Sequence, residues 1–65
     1  MRDFERLKAA IIDELEREPH THKSLRQTIS DEHDCSENDV SQAISALHDA
    51  GVIEHEQGFF VHATD

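Results

Sequence analysis

Three residues punctuate this chain, and their positions constrain its fold more than any other feature: Pro19, Gly51 and Gly58. Before Pro19, the apolar residues Phe4, Leu7, Ile11 and Leu15 recur at spacings of three and four, the stripe of an amphipathic helix. Ala10 lies close to that stripe, Ile12 widens it, and Arg and Glu fill the opposite face. The helix is expected over about 3–18, because the residue before a proline is biased away from helical angles. Beyond Pro19, Thr21 is placed to cap a second, short helix over about 22–31, with Leu25 and Ile29 as its apolar side. Ser30 to Cys35 is polar and predicts a turn in which Cys35 is the one buriable residue. Ser36-Glu37-Asn38-Asp39 matches a capping-box pattern and opens a third helix over about 37–50. Val40, Ala43, Ile44 and Leu47 are its core stripe, and Gly51 suits the left-handed position that ends it. Two extended runs follow, Val52-Ile53-Glu54-His55 and Phe59-Phe60-Val61-His62. Glu56-Gln57-Gly58 joins them as a hairpin over about 52–62. A two-residue turn at Gln57-Gly58 and a three-residue turn starting at Glu56 put opposite faces of the second run inward, so the sequence leaves open which of Phe59 and Phe60 is buried.

The expected architecture is therefore α+β, three helices followed by a two-stranded β-hairpin, in one domain spanning 1–65. In that order the chain resembles the winged helix-turn-helix family over nearly its whole length. The most specific portion is Ala46-Leu47-His48-Asp49-Ala50-Gly51-Val52-Ile53-Glu54 followed by Gly58-Phe59-Phe60-Val61, which is similar to the family's recognition-helix end, glycine cap and wing. The resemblance implies a DNA-binding transcription regulator whose third helix enters the major groove of double-stranded DNA while the wing touches backbone or minor groove. Small members of the family commonly bind as homodimers on paired half-sites, and the alternative is a monomer in which the hairpin covers the helices and both phenylalanines are half-buried. With the core stripe turned inward, about 100° per residue places Asn38, Ser41, Gln42, Ser45 and Asp49 outward. Asn and Gln read adenine edges bidentately, and Ser is permissive. Asn38, Ser41, Gln42 and Ser45 are thus the expected base readers. Lys23 and Arg26, on the second helix, are the expected backbone contacts, and Gln57 at the wing tip completes the set.

The charge distribution complicates that expectation. The 65 residues carry six Lys and Arg against fifteen Asp and Glu, a formal net charge of −9. Every base lies in residues 1–26, and residues 27–65 hold nine of the acids and no base. The third helix and wing therefore lack the cations that supply most phosphate contacts. Abundant acids, only two lysines and few large apolar residues resemble the proteins of extreme halophiles. In concentrated salt the Debye length falls to about 3 Å and repulsion between an acidic surface and DNA is screened. The expected setting is the cytoplasm of a halophilic archaeon. The alternative is a winged helix that binds a basic protein partner through its acidic third helix.

Other function classes find less support. No apolar run approaches the ~18 residues of a membrane span. Met1-Arg2-Asp3-Phe4-Glu5 lacks the apolar core of a signal peptide, and a single cysteine excludes an internal disulfide framework. Asp31-Glu32-His33-Asp34 and Glu37-Asn38-Asp39 pair carboxylates, but at turns and helix starts, where acids are usually solvated and complement the helix dipole. No base adjoins Cys35 to activate a thiolate. No enzyme is expected, and no cofactor. His20-x-His22 and His33-x-Cys35 offer four zinc-type ligands, yet a nine-residue helix between them spans about 13 Å, so no metal site is expected either. His48, His55 and His62 sit in the acidic half and are taken as solvated. Their protonation between about pH 5 and 8 would reduce the local negative charge.

Overall fold

The second and third helices each start and stop where the chain itself satisfies the exposed end groups. A computed structural model describes residues 4–63; Arg2, Asp3 and Asp65, and the expected helix start at residue 3, lie outside them. The elements are α1 (Phe4–Arg17), α2 (His22–His33), α3 (Glu37–Asp49), β1 (Ile53–Glu56) and β2 (Phe59–His62). The two strands pair antiparallel, giving the α+β layout of a winged helix. Among the described residues, no helix is long and apolar enough to cross a membrane.

Thr21 Oγ1 accepts from the Ser24 N–H at the start of α2, and Ser36 Oγ accepts from the Asp39 N–H at the start of α3, each at 3.1 Å. At the end of α3, Gly51 adopts φ +80°, and the Gly51 and Val52 N–H groups turn back to the His48 and Leu47 carbonyls at 3.1 and 3.0 Å. This is a Schellman closure, and it requires the left-handed residue that glycine supplies without steric cost. The end of α2 uses the same device with a different residue. Asp34 takes φ 51°, and the Cys35 N–H donates to the Ser30 carbonyl at 3.2 Å. Aspartate tolerates that conformation better than most residues. The helix therefore runs to His33, through the polar residues expected to form a turn, and only the short link before Ser36 remains non-helical. Removing the Ser36 cap by Ser36→Ala is expected to cost about 1 kcal/mol. In a domain of this size that is roughly 4–8 °C in melting temperature, readable by circular dichroism. An unchanged melting temperature would show that α3 does not depend on this cap.

The core collects the predicted stripes. Leu7, Ile11 and Leu15 of α1 meet Leu25 and Ile29 of α2, Val40, Ala43, Ile44 and Leu47 of α3, and Ile53 and Phe60 of the hairpin. Phe4, Ala10, Ile12, Cys35 and Val52 pack half-buried around it. The hairpin register follows from its turn. Gln57 (φ 51°) and Gly58 (φ +86°) both lie in the left-handed region, and Glu56 pairs with Phe59. This is the two-residue turn whose twist matches that of the strands. Ile53, His55, Phe60 and His62 then share the face turned to the helices. Phe60 is 8% exposed and Phe59 45%.

One contact was not foreseen. The His20 N–H donates to the Phe60 carbonyl at 3.2 Å, and the Phe60 N–H donates to the His20 carbonyl at 2.6 Å. The link between α1 and α2 thus lies beside β2 as a one-residue antiparallel partner. It ties the hairpin to the helical layer at Phe60.

Candidate nucleic-acid interface

α3 docks through Val40, Ala43, Ile44 and Leu47, so its opposite side is set by helical geometry alone. Asn38, Gln42, Ser45 and Asp49 all lie there and are exposed. Ser41 is only half-buried at the flank of the helix, about 100° from the core-facing Val40 instead of opposite it. Three neutral hydrogen-bonding side chains therefore stand together on the outer surface, with Ser41 beside them. Gln57 is exposed at the tip of the hairpin, and Glu54 and Glu56 are exposed along β1.

The basic residues are mostly engaged within the molecule. Arg26 is half-buried. Its Nε donates to Glu37 Oε1 at 3.2 Å and its Nη1 to His22 Nδ1 at 3.1 Å, so it bridges α2 to the start of α3. That bond assigns the Nε2–H tautomer to His22. Arg17 pairs with Asp13 at 3.2 Å and Glu14 at 3.5 Å. Lys8 pairs with Glu5 at 3.1 Å and lies 5.4 Å from the Phe4 ring centroid. Lys23 is exposed on the first turn of α2. An open groove beside α2, lined by Gln27, Thr28, Ser30, Asp31, Glu32 and Glu37, carries three acids and no base.

Four of the six histidines fall into two groups. His22, His48 and His55 surround Phe60, their ring centroids 5.8, 6.0 and 4.6 Å from its own. His48 meets it edge-on. These histidines are partly packing residues, and α2, α3 and β1 each contribute one. His20 belongs to a different arrangement that sequence reasoning missed. Its ring is buried, with Nε2 3.0 Å from Glu14 Oε2 and 3.7 Å from Glu18 Oε2, and Nδ1 3.1 Å from Ser24 Oγ. The signal was present in Glu14, which follows Ile11 at the helical spacing of three. It therefore sits on the apolar side of α1, where a carboxylate requires a partner. His22 faces Arg26 and His20 faces Glu14, so the pairing of His20-x-His22 with His33-x-Cys35 considered from spacing does not form the group of ligand-type side chains that converges here. That group is Glu14, Glu18 and His20.

Cys35 is half-buried and in no disulfide. Burial pushes its thiol pKa above the ordinary value, and the carboxylates of Asp39 and Asp34 push it the same way. This is the opposite of an activated nucleophile. Comparison of the chain with family models, curated proteins and solved structures gave no match.

Proposed function

We propose that this chain is a small sequence-specific DNA-binding transcription regulator, working in the salt-rich cytoplasm of a halophilic archaeon as a homodimer on paired half-sites. One observation carries the reading: the Asn38, Gln42 and Ser45 side of α3 is exposed, on a helix whose other side is wholly committed to the core. Side chains of this kind reach base edges in a major groove. Lys23 is the available backbone contact on α2, and Gln57 leads at the wing tip. Arg26 contributes to phosphate binding only by giving up Glu37. Phe59, exposed on the outer side of β2, is the large apolar side chain available to a second copy among the described residues.

Few free cations and an acidic wing mean that binding releases few condensed counterions. The salt dependence is then shallow. The experiment is chemical-shift mapping with a duplex library in molar KCl, followed by affinity measurement on the selected sequence. The shifts are expected on α3 and the hairpin. Asn38→Ala and Gln42→Ala are each expected to weaken the selected duplex roughly 5- to 100-fold, the loss of one bidentate base contact. Binding only below about 0.2 M salt, with a steep loss above it, would instead be ordinary counterion release and would refute the high-salt mechanism.

The acid-lined groove at Asp31, Glu32 and Glu37 favours a second reading, a winged helix that binds a basic protein segment. Silence of α3 toward any duplex, with shifts at the groove on adding a lysine-rich peptide, would select it.

A further inference from the structure

The turn that joins α1 to α2 assembles donors that neither the base-reading side of α3 nor the hairpin uses. Glu14 and Glu18 are four apart, so they project from the same side at the C-terminal end of α1. The Glu18 N–H still donates to the Glu14 carbonyl, at 3.2 Å. Pro19 then reverses the chain, and His20 returns across the two carboxylates. Its Nε2 lies 3.0 Å from Glu14 Oε2 and 3.7 Å from Glu18 Oε2, and the three ligand atoms all lie within 4.8 Å of one another. We propose that Glu14, Glu18 and His20 form a three-ligand site for a divalent transition-metal ion of the zinc type, with the remaining coordination position held by water.

The two distances from the imidazole nitrogen fit one shared ion. Zinc bonds of about 2.0–2.2 Å to N and O, set at tetrahedral angles, separate neighbouring ligand atoms by roughly 3.3–3.5 Å, between the two values seen. One imidazole nitrogen with two carboxylate oxygens is a donor set of zinc and its neighbours in the first transition row.

The imidazole is held for the task independently of the acids. Its Nδ1 lies 3.1 Å from Ser24 Oγ, and its backbone makes both hydrogen bonds with Phe60. A ligating histidine is normally oriented through its other ring nitrogen in this way. The Ser24 hydroxyl serves either tautomer, since it both donates and accepts. Without metal, Nε2–H donates to Glu14 Oε2 and Nδ1 accepts from Ser24. On binding, that Nε2–H···Oε2 hydrogen bond breaks and Nε2 and the carboxylate oxygens coordinate. The Nε2 proton leaves to solvent, Nδ1 takes one up so that the ring stays neutral, and the resulting Nδ1–H donates a hydrogen bond to Ser24 Oγ. Arg17 engages Glu14 through Oε1 at 3.5 Å and leaves Oε2 to the ion.

Metal-stripped full-length chain, with no DNA present, should be titrated with Zn²⁺ by calorimetry and with Co²⁺ by visible absorption. The site is therefore tested independently of the DNA-binding proposal. One ion per chain is expected, with a rise in melting temperature and d–d bands of a low-coordinate N/O site. Glu18→Gln removes an exposed ligand without disturbing the core. It is expected to weaken binding at least 10-fold while the melting temperature of the metal-free chain stays within 2 °C or so. Ser24→Ala, which removes the partner of the other ring nitrogen, should weaken it by about 10-fold. His33→Ala, away from the cluster, should change nothing. Failure to bind one ion at neutral pH, or binding of equal affinity in Glu18→Gln, would overturn the proposal.

Discussion

Phe60→Ala is expected to remove most of the protein's stability at 25 °C, whereas Phe59→Ser one residue away is expected to leave the stability of the single protomer within about 0.5 kcal/mol. The contrast rests on the hairpin turn. Because Gln57 and Gly58 form a two-residue loop, Phe60 faces the helices at 8% exposure and Phe59 faces away at 45%. Truncating a buried Phe costs about 3–5 kcal/mol, from lost transfer energy and the cavity left behind. A single core in a chain this short rarely supplies more than about 3–5 kcal/mol in total, so the substitution removes most of what there is. Phe60 also packs against His22, His48 and His55. Its backbone holds residue 20 against β2, so the cavity opens where the helices and hairpin join. Urea unfolding followed by far-ultraviolet circular dichroism measures both variants. A larger loss for Phe59→Ser than for Phe60→Ala would mean that the hairpin is shifted by one residue and that its other face is inward.

That register marks the boundary of what the sequence made legible. The helical stripes could be read because period 3.6 is written into Leu7, Ile11, Leu15 and again into Val40, Ile44, Leu47. The hairpin existed in the sequence as two β-rich runs around a glycine. Its register did not, because adjacent phenylalanines satisfy either face equally and the decision falls to two backbone angles at Gln57 and Gly58. The end of α2 was misplaced for a related reason: Asp34 does the work of a glycine, and polar residues within a helix look like residues of a turn. On the candidate interface, helical phase alone located Asn38, Gln42 and Ser45. It did not reveal that Arg26 is bound to Glu37 and His22, since that contact joins two helices and depends on how they pack. The Glu14–His20 contact escaped for the same reason, although a glutamate on the apolar side of α1 pointed to it.

The same contact gives the second large effect. His20→Ala is expected to cost about 2–3 kcal/mol, below the roughly 3–5 kcal/mol found when one partner of a fully buried pair is removed. Glu14 is 9% exposed and His20 8%, so neither side chain is well solvated when its partner is gone. Arg17 and the water reaching exposed Glu18 soften the loss. Glu14→Ala should cost less than His20→Ala, because Glu18 Oε2, already 3.7 Å from the ring, becomes the acceptor. A double-mutant cycle between the two positions should return a coupling of about 1–2 kcal/mol. This coupling should change little between dilute buffer and molar KCl, because screening acts weakly on groups that solvent barely reaches. The decisive variant replaces both, Glu14→Leu with His20→Phe. Desolvating a charged or strongly polar pair cancels much of its attraction, so well-packed apolar substitutes of similar volume are commonly neutral or stabilising. The double variant is expected to be at least as stable as the parent and to lose the metal affinity proposed for the cluster. If it is instead less stable than either single variant, folding itself depends on the pair. A stable double variant would mean that folding does not require these donors.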